Sequence, residues 1–398
     1  MKKVILLTTG SLTSEDYKNL EISNYKKHFI KFEIWNFNFL YKLNNKKNHK
    51  IDCEILLSGF KHFKELILRN RKYKILFDVR INFNLDSLRV FYYLTRYDCK
   101  FILHVGFLEN NLHNIKKRFI FKDKIKSFFS RKLLLFLKSK IEIIFFRLNL
   151  HRFYRLKNAD FVYVMGKKTF HNLKINPIIG TRTKIIKGHH RNYDQYLILK
   201  KAKQIKKSNE KFAVFIDQGA PVHPDWIKLG LNDVNIEEYY NSLRIFFIKI
   251  EKKFDIKVKI SAHPKINVKK ISKYLKEFQI IQGKTLELIF KSKFIITHNS
   301  TATNSAIFLK KPILIIINNA LINSMHDHLN DIKIFAQHLK KKVVNIDKLN
   351  LKISQKDLIV NNNLYNKHTL NYYKFAKSNL SYSNKLIKLL IKKSKKMI

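Results

Sequence analysis

Acidic residues, cysteine, glycine and proline are all scarce in this 398-residue chain. Two cysteines, Cys53 and Cys99, cannot build a disulfide framework or a cysteine metal site, and they suit a reducing, cytoplasmic compartment. Nine glycines and five prolines exclude collagen-like and linker-rich chains, so each of these residues becomes a marker. No apolar run approaches the roughly eighteen residues of a membrane span. Lys2-Lys3 precede only a short apolar run before Gly10-Ser11, too little for a signal peptide and better read as a first buried strand. Phosphate-binding P-loops, dinucleotide glycine fingerprints, Gly-x-Ser-x-Gly elbows and His-Glu-x-x-His helices are missing too. Their absence weighs against kinases, dehydrogenases, α/β-hydrolases and zincins. No repeat at a solenoid period occurs.

What the chain has in excess is basic charge: 80 Lys and Arg against 29 Asp and Glu, a formal net charge of +51. Lysine, asparagine and isoleucine rise together along the whole length, which marks a compositional bias of the source as much as a partner. Such a charge still favours anionic surfaces, whether phosphate-rich ligands, nucleic acid or an inner membrane leaflet. No nucleic-acid-binding module is recognisable, and no nucleic-acid partner is expected. An apolar content of 45% is ample for globular folding, and the length favours two domains.

Strand-like apolar runs fall at 4–9, 29–35, 53–57, 74–77, 101–105, 161–165 and 184–187. A second set follows at 212–216, 258–261, 279–281, 294–297 and 313–317. Helical or polar segments separate them, which predicts an α/β protein of two doubly wound, Rossmann-like domains with a cleft between them. The expected divisions are an N-terminal domain over 1–205, a C-terminal domain over 206–345 and a helical tail over 346–398. The polar, lysine-rich stretch 200–211 reads as the linker. Within the first domain, 116–157 interleaves fourteen Lys and Arg, and only two acidic residues, with Phe, Leu and Ile at helical spacing. That is the composition of an interfacial amphipathic helix, and it predicts docking on the inner face of the cell membrane. A helical pair with a solvated basic face is the plainer alternative.

Loops at strand ends carry chemistry in such folds. Asp78 and His104 stand at two of them, where helix capping or backbone satisfaction is the plain reading. His189 and His190 are adjacent, so on a strand they point oppositely and do not readily share one metal. The least ordinary loop, 217–225, holds Asp217, Gly219, Pro221, His223 and Pro224. Further on, His263-Pro264 ends one apolar run and His298-Asn299-Ser300-Thr301 ends another, ahead of a small-residue helix expected over 299–309. A histidine held before proline can present a ring nitrogen to phosphate. Hydroxyls at a helix start suit an anion. Thr285 is expected to cap the helix 285–292, with Glu287 in its first turn.

These motifs, over 212–317, resemble the donor half of bacterial GT-B glycosyltransferases. The pattern is closest to polysialyltransferases, lipooligosaccharide sialyltransferases, capsule Kdo transferases and teichoic-acid glycerophosphotransferases. The resemblance implies that His263, Pro264, Ser300 and Thr301, with His298 and Asn299, hold the phosphate and ribose of a cytidine-nucleotide donor. Thr285 is counted among the donor-binding positions. Where many GT-B enzymes carry a ribose-binding Glu, this chain reads Asn304-Ser305-Ala306, so that contact is absent or supplied elsewhere, with Glu287 the substitute. It also implies a carboxylate base for the acceptor hydroxyl, for which Asp217 beside His223 is the first candidate and Asp194 and Glu109 the next. No metal and no cofactor are expected, and no Asp-x-Asp motif is present. The expected activity is transfer of a CMP-linked Kdo- or sialic-type sugar onto a surface polysaccharide or lipid-linked glycan. A CDP-glycerol-type glycerophosphotransferase, a nucleotide-sugar epimerase and a basic nucleic-acid-binding protein are the alternatives.

Overall fold

Continuous apolar strands such as Lys2–Thr8 need cover on both faces, and parallel sheets sandwiched by helices supply it. The computed structural model describes residues 2–10, 12, 17, 20–41, 52–105, 140–142, 144–145, 148, 150–171, 173, 176–201, 210–228, 233–349, 351 and 353–392. Thirteen strands among them form two sheets in which every pairing is parallel. The first holds β1 (Lys2–Thr8), β2 (Ile30–Asn36), β3 (Glu54–Leu56), β4 (Lys74–Val79), β5 (Phe101–Val105), β6 (Phe161–Val164) and β7 (Lys184–Lys187), in the order β3-β2-β1-β4-β5-β6-β7. The second holds β8 (Phe212–Asp217), β9 (Lys257–Ala262), β10 (Gln279–Gln282), β11 (Ile295–Thr297), β12 (Ile313–Ile317) and β13 (Val343–Asn345), in the order β10-β9-β8-β11-β12-β13. All twelve expected runs are strands. The strand the sequence pattern misses, β13, is three residues long and enters straight from Lys340-Lys341-Lys342.

Side chains alternate across each sheet. Along β1, Val4 and Leu6 join one buried cluster, while Ile5 and Leu7 join another on the opposite face. The second sheet has a core of its own, in which the helix Ile236–Phe254 buries Tyr239, Tyr240, Leu243, Phe246, Phe247 and Ile250.

The chain divides into two units. One gathers the described residues of 1–107, 134–191 and 371–398, the other those of Asn192–Leu370. The expected C-terminal tail is therefore shared. Ile353 and Tyr365 lie in the second unit's core, while Leu386, Ile387 and Leu390 of the helix Tyr382–Lys392 are buried on the first sheet. Of the expected linker, 202–209 lies outside the described residues, as does 106–139, which includes Glu109 and much of the basic amphipathic stretch. No described helix is long and apolar enough to cross a membrane.

Candidate functional site

In the second sheet, β8 connects to β9 on one side, and the chain crosses back to β11 on the other. The carboxyl ends of β8 and β11 thus form a topological switch point, where open α/β sheets bind ligands. The loops after β8, β9 and β11 bring His223, His263, Ser300 and Thr301 to this edge.

Asp217 ends β8 and is buried, with 1% exposure. One of its oxygens accepts the Gly219 amide at 2.7 Å and the other the Tyr240 hydroxyl at 3.1 Å. Burial nevertheless pushes its carboxyl up to about 6. Gly219 has φ +63°, and a Cβ there would stand 2.6 Å from the Ile266 side chain. This Asp-Gln-Gly turn folds the loop onto Ile266, in the turn that follows His263. The His223 ring is thereby set 4.6 Å from the His263 ring, centroid to centroid. Asp217 holds the loop from within rather than facing a substrate.

His263 is pinned from the next strand. Its carbonyl accepts from the Gln282 side chain at 2.8 Å and from the Ile266 amide at 3.2 Å. Its Nδ1 accepts the Lys265 amide at 3.3 Å, so the neutral ring carries its proton on Nε2. Pro264 is exposed beside it. The row of rings continues from His223 to Trp226 at 5.3 Å and from Trp226 to His328 at 5.4 Å. His328 lies about sixty residues from the His-Pro motif and was not singled out by sequence; burial lowers it to about 4. Its Nε2 donates to the Gln218 amide oxygen at 3.2 Å, and the Gln218 amide nitrogen donates to the Asn299 carbonyl at 2.6 Å. Gln218, also missed, therefore bridges the two loops of the switch point.

His298 behaves otherwise than expected. It is fully buried, with Nδ1 2.7 Å from the Ile316 carbonyl and Nε2 2.8 Å from the Tyr239 hydroxyl. A carbonyl can only accept, so Nδ1 carries the proton and Tyr239 donates to Nε2. Burial lowers this ring to about 4. Its side chain faces the core and offers a ligand nothing. Ser300 and Thr301 do stand at the edge. The helix after them is Thr303–Phe308, four residues shorter at its start than expected. Ser300 instead makes a turn: its Oγ accepts the Ala302 amide at 3.3 Å and its carbonyl the Thr303 amide at 2.9 Å. Hydroxyl side chains compete with helical hydrogen bonds in just this way. Among the described residues, the amides of Ser300 and Thr301 have no acceptor.

The remaining donor candidates are engaged locally. Thr285 is the first helical residue, not the cap; Lys284 holds the cap position, and the Thr285 hydroxyl accepts from Ser261 at 2.8 Å. Glu287 pairs with Lys291 at 2.6 Å, which holds its carboxyl below the usual range. Asn304 is turned inward, donating to the Thr301 carbonyl at 2.8 Å. Asp194 sits in the first turn of the helix Arg191–Lys201. That helix abuts the Ser300 turn, since Asn192 donates to the Thr301 carbonyl at 3.0 Å and Tyr193 packs on Phe308.

The first unit has a polar cluster of its own. Asp78 on β4 and His104 on β5 occupy the same sheet face as Leu76 and Ile102, one alternation nearer the carboxyl edge. Asp78 is 1% exposed, accepting from Arg80 at 3.1 Å and facing His104 Nε2 at 2.7 Å. Arg80 and His104 hold the Asp78 carboxyl far below its ordinary value, despite burial. Burial is also the main cause that lowers His104. An ionised Asp78 requires the proton on Nε2, and among the described residues nothing partners Nδ1. His189 is buried with Nδ1 against Ser378, and the half-buried His190 ring packs on Tyr373. Among the described residues no three His, Cys, Asp or Glu side chains gather as a metal site.

No protein-family description matches the sequence, and no curated protein matches it. Among solved structures, a variant of the wall teichoic acid polymerase TagF is similar in fold, with a TM-score of 0.55 and 12% identity over 99% of this chain and 89% of that one. The UDP-GlcNAc 2-epimerase of Methanocaldococcus jannaschii aligns with TM-score 0.49 at 12% identity, over 98% of this chain and 99% of that one. S. aureus MnaA bound to UDP gives 0.49 and 12%, over 100% and 98%. The first likeness establishes the two-domain α/β fold of GT-B type.

Proposed function

We propose that the chain transfers a sugar from a nucleotide-sugar donor, CMP-linked and of Kdo or sialic type, onto a bacterial surface polysaccharide or lipid-linked glycan. The observation that carries this reading is the meeting of His263 and His223 beside the Ser300 turn, on the loops of three adjacent strands at a switch point. A donor's phosphate at that edge meets the His263 ring and the amides of Ser300 and Thr301. Protonated histidine and oriented amides stabilise the charge that develops as the nucleotide departs.

Transfer also needs a base. Asp217 is occupied by Gly219 and Tyr240, and Asp194 sits in the first turn of the helix Arg191–Lys201. His104 suits the role better: Asp78 fixes its tautomer, and its lowered basicity keeps Nδ1 unprotonated and receptive near neutral pH. In the step proposed, the acceptor oxygen bonds to the anomeric carbon and gives its proton to a base, for which His104 Nδ1 is the first unit's candidate. The anomeric carbon–phosphate oxygen bond breaks, and its electron pair leaves on the nucleotide.

A thermal-shift screen of CMP, CDP, UDP and GDP tests the donor. A rise with the cytidine nucleotides supports the reading, and no rise with any nucleotide sinks it. His263→Ala is expected to abolish transfer with the circular dichroism unchanged; full activity would remove His263 from the site. Assays with CDP-glycerol, and with donor but no acceptor, separate glycerophosphotransfer and epimerisation from sugar transfer.

A further inference from the structure

The last helix of the chain does more than cover the first sheet. Its first residue, Tyr382, brings a hydroxyl to 2.7 Å from His104 Nε2, and its ring centroid lies 4.6 Å from the imidazole. The same ring stands edge-on to Tyr163 at 4.7 Å, and the Arg80 guanidinium lies over it at 5.3 Å. Tyr382 is thus wedged among the groups that hold the Asp78–His104 pair.

Two serines latch the helix start in place. Ser381 and Ser383 both donate to the Glu21 carboxylate, Ser381 at 2.8 Å. Asn24 donates to Ser383 at 3.2 Å. Glu21 itself takes a left-handed backbone conformation, φ 49°, at the start of the helix Ile22–Lys27. Below the latch, Leu386, Ile387 and Leu390 are buried against the first sheet. A chain end serving only as cover needs the apolar stripe alone. Here three polar contacts fix the rotation of its first turn, and that rotation aims the hydroxyl at the imidazole.

We infer that Tyr382 is a positioning residue for His104, delivered by the carboxyl-terminal helix, and that this helix is a working part of the site on the first sheet. The inference rests on the reading of His104 as the base. With Asp78 ionised, the Nε2 proton is shared between its carboxylate and the phenol oxygen. The carboxylate is the stronger acceptor, so it governs the tautomer. Tyr382 competes for that proton and, by packing, keeps the ring in the plane that exposes Nδ1. The other titratable or charged groups facing this cluster are Arg80 just after β4, Tyr25 from the helix Ile22–Lys27, Tyr163 from β6 and His190 after β7.

The test uses the full chain with Tyr382→Phe, which keeps the ring and removes the hydroxyl. The imidazole of His104, assigned against His104→Gln, is titrated by NMR in selectively labelled protein. Freed of the competing phenol oxygen, the Nε2 proton bonds to Asp78 alone. The imidazole pKa is expected to rise by at least half a unit, with the Nε2–H tautomer retained. In transfer, kcat is expected to fall by about tenfold at unchanged donor KM, with the acid limb of the pH profile moving upward. An imidazole whose pKa and tautomer are the same in both proteins overturns the inference. A moved imidazole in a chain inactive with every nucleotide donor upholds the coupling and overturns the transferase reading instead. Tyr382→Ala guards the packing argument: loss of a single fixed ring orientation supports the wedge, and an unchanged spectrum opposes it.

Discussion

Burial drives Asp217 and His298 toward the same uncharged state from opposite directions, and their pH dependence differs in sign. His298 is lowered from its ordinary value to about 4. Its contribution is complete above the unfolded value near 6.5 and is lost as pH falls toward the folded one, on the order of 3 kcal/mol in all. Urea midpoints are therefore expected to drop between about pH 6.5 and 4.5. His298→Asn should flatten that part of the curve while costing about 1–3 kcal/mol at pH 7.5, because the Ile316 carbonyl and Tyr239 hydroxyl lose a partner. Asp217 is raised to about 6, so its contribution is present below about 3.8 and lost as pH rises through 6. At pH 7.5 the ionised form is a liability, and Asp217→Asn, which mimics the neutral acid, is expected to hold or raise the melting temperature. Retained transfer in that variant assigns Asp217 to the loop; a loss of about a hundredfold or more, with the fold intact, assigns it to proton transfer.

Elements with a strong period were legible in the sequence, and those set by a single side chain were not. The helix Ile236–Phe254 shows why the first kind succeeds: Tyr240, Leu243, Phe247 and Ile250 recur at helical spacing and are all buried. At Thr303–Phe308 the same small-residue pattern misplaced the start, because Ser300 spends its oxygens on a local turn. The site was legible to a similar degree. His263, His223 and Ser300 stand out by their place after strands, whereas Gln218, Trp226 and His328 join them only through folding. The basic amphipathic stretch is open to test at its described end. Ile141, Ile144 and Leu148 follow one another at helical spacing and are 59%, 55% and 64% exposed, with Phe153 at 82%. Apolar side chains on a cationic background suit an anionic lipid surface. Replacing Ile141, Ile144 and Leu148 by Ser is expected to weaken co-sedimentation with vesicles containing phosphatidylserine, with little change in melting temperature. Equal binding by wild type and variant would separate this patch from any membrane role.

Across the whole molecule, the sequence announces two domains through two sets of strand runs, but it hides how the chain closes them. Residues 371–398 belong with the first unit although the second unit lies between them and the rest of it. Composition gives no hint of this, since the final helix is another basic amphipathic segment among several; only the partners of Leu386 and Tyr382 reveal it. The described part of the second unit lies within Asn192–Leu370 and has a core of its own, so the two should respond differently to damage in the helix Tyr382–Lys392. Leu386 is fully buried on the first sheet, and Leu386→Ala is expected to cost that unit about 2–5 kcal/mol. Calorimetry should then show one transition moving down while another stays, and the one that stays should be the transition raised by a cytidine nucleotide. If both fall together, the units unfold as one and the second does not stand on its own core. If the nucleotide raises the damaged transition instead, the ligand belongs to the first sheet, and the His263–His223 edge loses its claim to the donor.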